Sequence, residues 1–225
     1  MKEIVLVVVA HPDDESISMG GTIFKHTEKG DKVYVISMTD GVSARSNVNK
    51  DDVIVRKKAA DQASEILGFK WGQCFNFKDN LMDSYSMLDI VKAIEESKKK
   101  YKPTLVYTHS CADLNVDHRV VTHAVLTAFR PQPMEICKEI RLFEVASATD
   151  YGATSVTGSF NPNLFVNISN FWKLKSNALD AYSTEIRKSP HSRSKEGIKN
   201  LAKLRGSQVG FNLAEAFEVV RKLID

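Results

Sequence analysis

The chain has 225 residues, of which 43% are hydrophobic and 26% charged, with 31 Lys and Arg against 28 Asp and Glu. These proportions are typical of a soluble globular domain and exclude a disordered chain, a collagen-like repeat and a strongly basic nucleic-acid-binding tail. We therefore expect one domain over residues 1–225, with a core in 1–146, an extension in 147–225 and no nucleic-acid partner.

The first 146 residues alternate short β-rich runs with longer helical patterns. The opening run Ile4–Val9 consists only of Val, Ile and Leu, as expected for a strand buried on both faces. Further strands are predicted at Lys32–Met38, Gln73–Phe77, Thr104–Thr108 and Glu139–Val145, and helices at Ser16–Lys29, Asp51–Leu67, Met87–Lys100 and His118–Phe129. This alternation predicts an α/β fold, a Rossmann-like three-layer sandwich with a mostly parallel sheet.

Beyond residue 146 the pattern is less regular. Residues 147–163 are rich in Ser, Thr, Gly and Asn and predict a long loop. After it we predict a strand at Leu164–Ile168, a helix at Ser169–Thr184, an irregular segment at Arg187–Arg193 and helical stretches at Lys195–Leu204 and Leu213–Leu223. We expect a helical or edge extension of the core, whose apolar helices could support a homo-oligomer.

Two dense clusters of His and Asp follow the first and fourth predicted strands. The first strand leads directly into His11-Pro12-Asp13-Asp14-Glu15, and the fourth is followed by His109, Asp113, Asn115, Asp117 and His118. In the common doubly wound order these two strands are neighbours at the switch point where ligands bind. The fold should therefore place the two clusters side by side.

The spacing within these clusters predicts a metal site. His11 and Asp14 lie three residues apart across a Pro-containing turn, and His118 can supply a third ligand. Two imidazoles and one carboxylate form a catalytic zinc set that leaves a position open for water, and Asp13 beside them can act as general base. Each residue also has a simpler reading, because Asp13 or Asp14 can cap the following helix and His118 can be a satisfied histidine at a helix start.

The same residues resemble a known family. Ala10-His11-Pro12-Asp13-Asp14-Glu15, followed by Gly20-Gly21-Thr22, resembles the signature of the PIG-L/LmbE-like de-N-acetylases. The segment Asp113-Leu114-Asn115-Val116-Asp117-His118-Arg119 resembles their second metal motif. The resemblance implies a Rossmann-like fold and a Zn²⁺-dependent hydrolase that removes acetyl groups from N-acetylglucosamine-type sugars. It also implies zinc ligands at His11, Asp14 and His118, with Asp13 as the general base.

One position departs from the family pattern. Asn115 stands where many members have a histidine that stabilises the oxyanion or protonates the leaving amine. An Asn amide can donate to an oxyanion, but it cannot titrate. His109, at the end of the fourth strand, is the candidate for the acid role, and a core or supporting histidine is the alternative.

Three more residues are candidates for contact with the substrate. Arg56, near the start of the second predicted helix, corresponds to an arginine that lines the site in similar proteins, and a surface arginine of that helix is the alternative. Asp79, after the third strand, can accept hydrogen bonds from sugar hydroxyls or can instead form an Asx turn. Asp117, beside His118, can orient a ring or receive a proton, and a solvated or capping role is the alternative. His191 and Arg193 lie in a polar C-terminal segment that could cover the mouth of the site, and a mobile surface loop is the alternative.

The cysteines and the N-terminus bear on location. Cys74, Cys111 and Cys137 are an odd number at wide spacing, which argues against a disulfide framework and favours the cytoplasm. The apolar run Ile4–Ala10 is too short for a membrane span and lacks a cleavage site, and no other stretch approaches 18 apolar residues.

These observations together predict a zinc-dependent N-deacetylase with a small amino-sugar substrate. The alternatives are an amidase acting on another sugar-linked amide and an inactive carbohydrate-binding protein of the same fold.

Overall fold

The computed structural model describes residues 2–45 and 50–224. Its strands are β1 Ile4–Val9, β2 Lys32–Thr39, β3 Lys70–Phe77, β4 Leu105–His109, β5 Glu139–Phe143, β6 Leu164–Asn167 and β7 Ala214–Lys222. Its helices are α1 Asp14–Lys29, α2 Lys50–Leu67, α3 Met87–Tyr101, α4 Val116–Ala128, α5 Thr154–Thr157, α6 Trp172–Ala181 and α7 Lys195–Ser207. Short 3-10 turns cover Met82–Ser84 and Ser169–Phe171.

All seven strands belong to one sheet, in the order β3-β2-β1-β4-β5-β7-β6. The first five strands pair in parallel, and β7 pairs antiparallel with both β5 and β6. Helices α1, α2 and α6 contribute to the apolar core on one face, while α3 and α4 pack on the other. The predicted three-layer sandwich with a mostly parallel sheet is confirmed, and so is the adjacency of the first and fourth strands.

The predicted helix at Leu213–Leu223 is wrong, because this segment contains strand β7. Its Leu, Ala, Glu and Lys residues favour a helix locally. Pairing on both sides overrides that preference, with Phe217 opposite Phe143 of β5 and Ala216 opposite Phe165 of β6. A helical extension is therefore only part of the C-terminal region, and strands β6 and β7 enlarge the sheet itself.

Other differences concern element ends. Strand β3 begins at Lys70 rather than Gln73, and α1 begins at Asp14 rather than Ser16. The predicted loop at 147–163 contains the one-turn helix α5. Among the described residues no helix combines the length and the apolar character needed to cross a bilayer.

Helix α1 depends on the last strand for two of its hydrogen bonds. The helix departs from helical geometry at Met19, where φ is −136°. Just beyond this break, the backbone amides of Gly21 and Thr22 donate to the carboxylate of Glu215 in β7, at 3.0 and 2.6 Å. The buried Lys175 ammonium in α6 lies 2.7 Å from the same carboxylate. Glu215 therefore ties α1 to β7 and α6.

Candidate active site

The loops after β1 and β4 bring two histidines and one carboxylate together. His11 Nδ1 lies 3.3 Å from Asp14 Oδ2 and 3.3 Å from His118 Nε2, and the last two atoms are 3.4 Å apart. All three residues are buried. His11 and Asp14 come from the β1–α1 connection and His118 from the first turn of α4, so the adjacency of β1 and β4 creates the cluster.

This triangle has the size of a zinc coordination face. Ligand atoms bound tetrahedrally at about 2.0–2.1 Å are about 3.3–3.4 Å from one another, which matches the three distances. The cluster also attracts positive charge. Burial alone would lower the pKa of both imidazoles, yet the surrounding carboxylates raise the pKa of His11 well above its usual value and that of His118 to about 9. A divalent cation would balance the same charges.

Carboxylates lie behind the ring of His11. Its Nε2 is 3.1 Å from Asp79 Oδ1 and 3.3 Å from Asp117 Oδ2. A proton on Nε2 shared with these oxygens leaves Nδ1 free to bind a metal. Asp117 is fully buried and also accepts from the amides of Asn80 and Met82. Its surroundings therefore suit orientation of the His11 ring better than contact with a substrate.

His118 is held in a similar way. Its Nδ1 is 3.0 Å from Asp113 Oδ2, which also accepts a hydrogen bond from Thr149 Oγ1 at 2.8 Å. Asn115 caps α4, its Oδ1 accepting from the amides of Asp117 and His118 at 2.8 and 3.4 Å. The cap fixes the first turn of the helix and therefore the position of the His118 ring.

Asp13 sits next to this cluster in a strained backbone conformation. Its φ is 147° and its ψ is −26°, a region that costs about 1–3 kcal/mol for a residue other than Gly. It occupies the N-cap position of α1, yet its side chain makes no capping hydrogen bond, which argues against the capping alternative. Its Oδ2 accepts no hydrogen bond from the described residues. Burial raises the pKa of Asp13 although Arg56 opposes the rise, as suits a general base.

Arg56 fixes the loop that carries Asp13. It is 4% exposed, and its guanidinium donates to the carbonyls of Pro12 and Gly41 at 2.5 and 3.1 Å. The same group lies 3.4 Å from Asp13 Oδ2 and 2.7 Å from Glu185 Oε1. These contacts describe an arginine that positions Asp13 from behind.

An open, polar cleft of about 350 Å³ lies over the cluster. Six of the nine predicted site residues line it: His11, Asp13, Asp14, Arg56, Asp79 and Asn115. The volume is in the range of small-ligand sites. The remaining three, His109, Asp117 and His118, are buried and do not line the cleft.

Comparison with known proteins gives the family. The PIG-L model, described as GlcNAc-PI de-N-acetylase, matches residues 6–129. The chain is 30% identical over 192 residues to a probable N-acetyl-alpha-D-glucosaminyl L-malate deacetylase 2 of Bacillus cereus, covering 82% of this chain and 84% of that protein. The chain belongs to the PIG-L family. It is accordingly a hydrolase of the N-deacetylase type, as the resemblance implied.

Solved structures agree on the fold. The N,N'-diacetylchitobiose deacetylase of Pyrococcus horikoshii matches with a TM-score of 0.77 and 22% identity, over 97% of this chain and 84% of that one. The 4-carboxy-2-hydroxymuconate hydratase GalB of Pseudomonas putida matches with a TM-score of 0.75 and 23% identity, over 100% of this chain and 98% of that one. Because the second protein has a different named activity, the fold alone does not identify the reaction.

Within this PIG-L chain, the surroundings of His109 do not suit a proton donor. The residue is fully buried, and its Nε2 accepts a hydrogen bond from the Ala10 amide at 2.9 Å. Its ring stacks on that of His118, with centroids 4.0 Å apart. Burial, followed by the neighbouring His118, lowers the pKa of His109 well below its usual value. These contacts favour the supporting role that the sequence left as the alternative.

Asn115, the departure from the PIG-L pattern, does reach the cleft. Its Oδ1 accepts the capping hydrogen bonds of α4, while its Nδ2 donates to Asn80 Oδ1 at 3.3 Å. The amide nitrogen is thus the part of the side chain that can donate to a developing oxyanion.

Several contacts in the site were missed by sequence reasoning. Glu185 and Arg187 reach the cleft from the segment after α6, and Arg45 reaches it from the β2–α2 connection. The carboxylate of Glu15 accepts hydrogen bonds from the Asp13 amide at 3.0 Å and from the Tyr182 hydroxyl at 2.9 Å. None of these residues forms a motif with its sequence neighbours, and only the fold brings them to the site.

Proposed function

We propose that the chain hydrolyses the N-acetyl group of an N-acetylglucosamine-type sugar or its conjugate, with Zn²⁺ held by His11, Asp14 and His118. The observation that supports it most directly is the triangle of ligand atoms at 3.3, 3.3 and 3.4 Å with the carboxylate of Asp13 beside it. A bound zinc ion supplies Lewis-acid chemistry, acidifying a water molecule and polarising the acetyl carbonyl.

The protein groups then have distinct roles in the proposal. Asp13 takes the proton from the attacking water and returns it to the leaving amine. The Nδ2 of Asn115 donates to the oxygen that gains charge in the tetrahedral intermediate. Arg56 keeps Asp13 in position, and Asp79 at the cleft wall accepts hydrogen bonds from sugar hydroxyls as well as orienting His11.

The strained conformation of Asp13 favours a catalyst over an inactive sugar-binding protein. A metal-dependent binder has no need of a buried carboxylate whose Oδ2 accepts no hydrogen bond from the described residues. Strain of this kind persists where the surrounding structure enforces it, which is common at functional sites.

We infer a single domain and a cytoplasmic location, the latter because Cys74, Cys111 and Cys137 are all free thiols. Self-association stays a prediction, and it has lost one of its supports because Leu213–Leu223 contains a strand. Light scattering on the purified protein tests it.

The proposed function is tested by metal analysis combined with acetate release. The wild-type protein should carry about one zinc per chain and release acetate from an N-acetylglucosaminide. His118→Gln should lose both the metal and the activity, because the variant lacks the ligand atom Nε2. His123→Gln, at an exposed position of the same helix, is the matched control and should keep both. Wild-type protein that binds no added zinc, or a metal-loaded protein that releases no acetate, would contradict the proposal.

A further inference from the structure

The mouth of the cleft carries more positive than negative charge. Four arginines line it: Arg45, Arg56, Arg187 and Arg193. Two carboxylates face these guanidiniums, those of Asp13 and Glu185. The other carboxylates of the site, those of Asp14, Asp79, Asp113 and Asp117, lie against the histidines. They therefore do little to offset the charge at the mouth.

Arg56 and Arg193 are already engaged. Arg56 is buried among its four oxygen partners, as described above. Arg193 donates through Nε to Ser147 Oγ at 2.8 Å, and its Nη1 lies 3.9 Å from Asp13 Oδ2. Arg56 therefore has little capacity for a ligand, while the charge of Arg193 is partly offset by Asp13.

Arg187 and Arg45 differ from this pair. Arg187 is exposed, and within residues 2–45 and 50–224 its side chain has neither an ion pair nor a hydrogen bond. The side chain of Arg45 is 44% exposed, and its Nη2 shares Glu185 Oε1 with Arg56, at 2.6 and 2.7 Å. One carboxylate oxygen thus serves two guanidiniums, which leaves donors of Arg45 free at the cleft wall.

We propose that Arg187 and Arg45 bind an anionic group, a carboxylate or a phosphate, on the part of the substrate attached to the amino sugar. The inference rests on the proposed function and names the substrate class for that site. A guanidinium matches the two oxygens of such a group with parallel hydrogen bonds, and it does so better than an ammonium. Arg187 is the residue that determines specificity, since it has no other partner among the described residues.

The test compares pairs of substrates in which one member carries the anionic group and the other is neutral. The zinc-loaded wild-type protein is assayed for acetate release from an N-acetylglucosaminide with a carboxylate in its aglycone and from the methyl ester of the same compound. A second pair, N-acetylglucosamine 1-phosphate and the neutral methyl N-acetylglucosaminide, is assayed in the same way to test recognition of a phosphate. We expect kcat/KM to favour the anionic member of one pair about tenfold or more, chiefly through KM, as for a hydrogen bond to a charged group. The pair with the larger ratio identifies the anion.

Variants assign the effect to Arg187. Arg187→Gln should remove most of the preference, with only the contribution of Arg45 left, and Arg187→Lys should keep more of it because the charge remains without the planar fork. Lys188→Gln removes a neighbouring exposed charge outside the cleft and should keep the wild-type ratio. A wild-type ratio near one in both pairs, or an Arg187→Gln ratio equal to that of wild type, overturns the inference while the deacetylase proposal stands. No acetate from any of these substrates overturns the proposed function and this inference with it.

Discussion

Arg56 Nη1 lies 3.4 Å from Asp13 Oδ2, a buried oxygen that accepts no hydrogen bond from the described residues. At this distance the guanidinium stabilises the charged carboxylate without donating a hydrogen bond to that oxygen. Glu185, from a distant part of the chain, keeps the guanidinium in place. Asp13 is therefore held in position without being neutralised, which is what a general base beside a metal requires.

Replacing Asp13 by Asn should separate metal binding from turnover. The variant keeps all three ligand residues, and Asn tolerates a positive φ better than most residues. We expect about one zinc per chain and a fall in kcat of about 10²-fold or more, the usual contribution of a positioned base. Metal analysis and acetate release measure the two effects.

Asp61→Asn is the control for this experiment, because Asp61 is exposed on α2 and lies outside the cleft. It should match wild type in both assays. Near-normal turnover by the zinc-loaded Asp13→Asn protein would show that Asp13 is not the base.

Asp113 should affect the metal without binding it. Its Oδ2 is 3.0 Å from His118 Nδ1, so the variant Asp113→Asn loses the negative charge that orients the ring and strengthens its basicity. We expect the zinc affinity, measured against a competing chelator, to fall about 10- to 100-fold. An affinity equal to that of wild type would mean that the Asp113 carboxylate does not tune the His118 ligand.

Glu215 should matter for stability. Glu215→Gln removes the negative charge that offsets the buried Lys175 ammonium. It also replaces one of the two carboxylate oxygens that accept from the Gly21 and Thr22 amides by an NH₂ group, which cannot accept. Breaking a buried ion pair from one side costs about 3–5 kcal/mol in the free energy of unfolding. Urea denaturation of Glu215→Gln, Lys175→Met and the double variant measures the coupling. A double variant as unstable as the sum of the two single changes would argue against a coupled pair.

Asp31, at the end of the sheet opposite the active site, should make the free energy of unfolding depend on pH. Burial would raise its pKa, but hydrogen bonds from the His26 ring at 2.7 Å and the Glu3 amide at 2.9 Å outweigh burial and lower the pKa. A lowered folded-state pKa contributes stability that is present above the unfolded pKa of about 3.9 and is lost as the pH falls through the folded value.

Asp31→Asn should accordingly be less stable than wild type at pH 7, and the difference should shrink as the pH falls below about 4. Urea denaturation across this range measures it, with Asp61→Asn as the control. A difference that stays constant with pH would assign the loss to packing rather than to the charge.

The metal ligands could be predicted from the sequence because they fall in two short motifs, each directly after a predicted strand. His11, Asp13 and Asp14 follow one buried strand, and His118 starts the helix after a neighbouring one. The supporting residues could not be read in this way. Glu185 is 129 positions from Arg56 by the numbering, and nothing near it in sequence indicates an ion pair. Such contacts depend on the tertiary fold.

Strand β7 shows the same limit for secondary structure. Ala214, Ala216 and Glu218 are good helix formers, and Phe217, Val219 and Val220 were the one local sign of a strand. The decisive factor was the pair of neighbouring strands, β5 and β6, whose unpaired backbone groups only a strand can satisfy.

The link between Glu215 and α1 has a consequence for how the protein is made. A ribosome synthesises Glu215, the acceptor for the Gly21 and Thr22 amides, 194 and 193 positions after those two residues. Until the last strand docks, the helix that begins at Asp14 lacks two of its native hydrogen bonds. The helix that follows the first metal motif therefore gains its full set of hydrogen bonds only after both metal motifs have been synthesised.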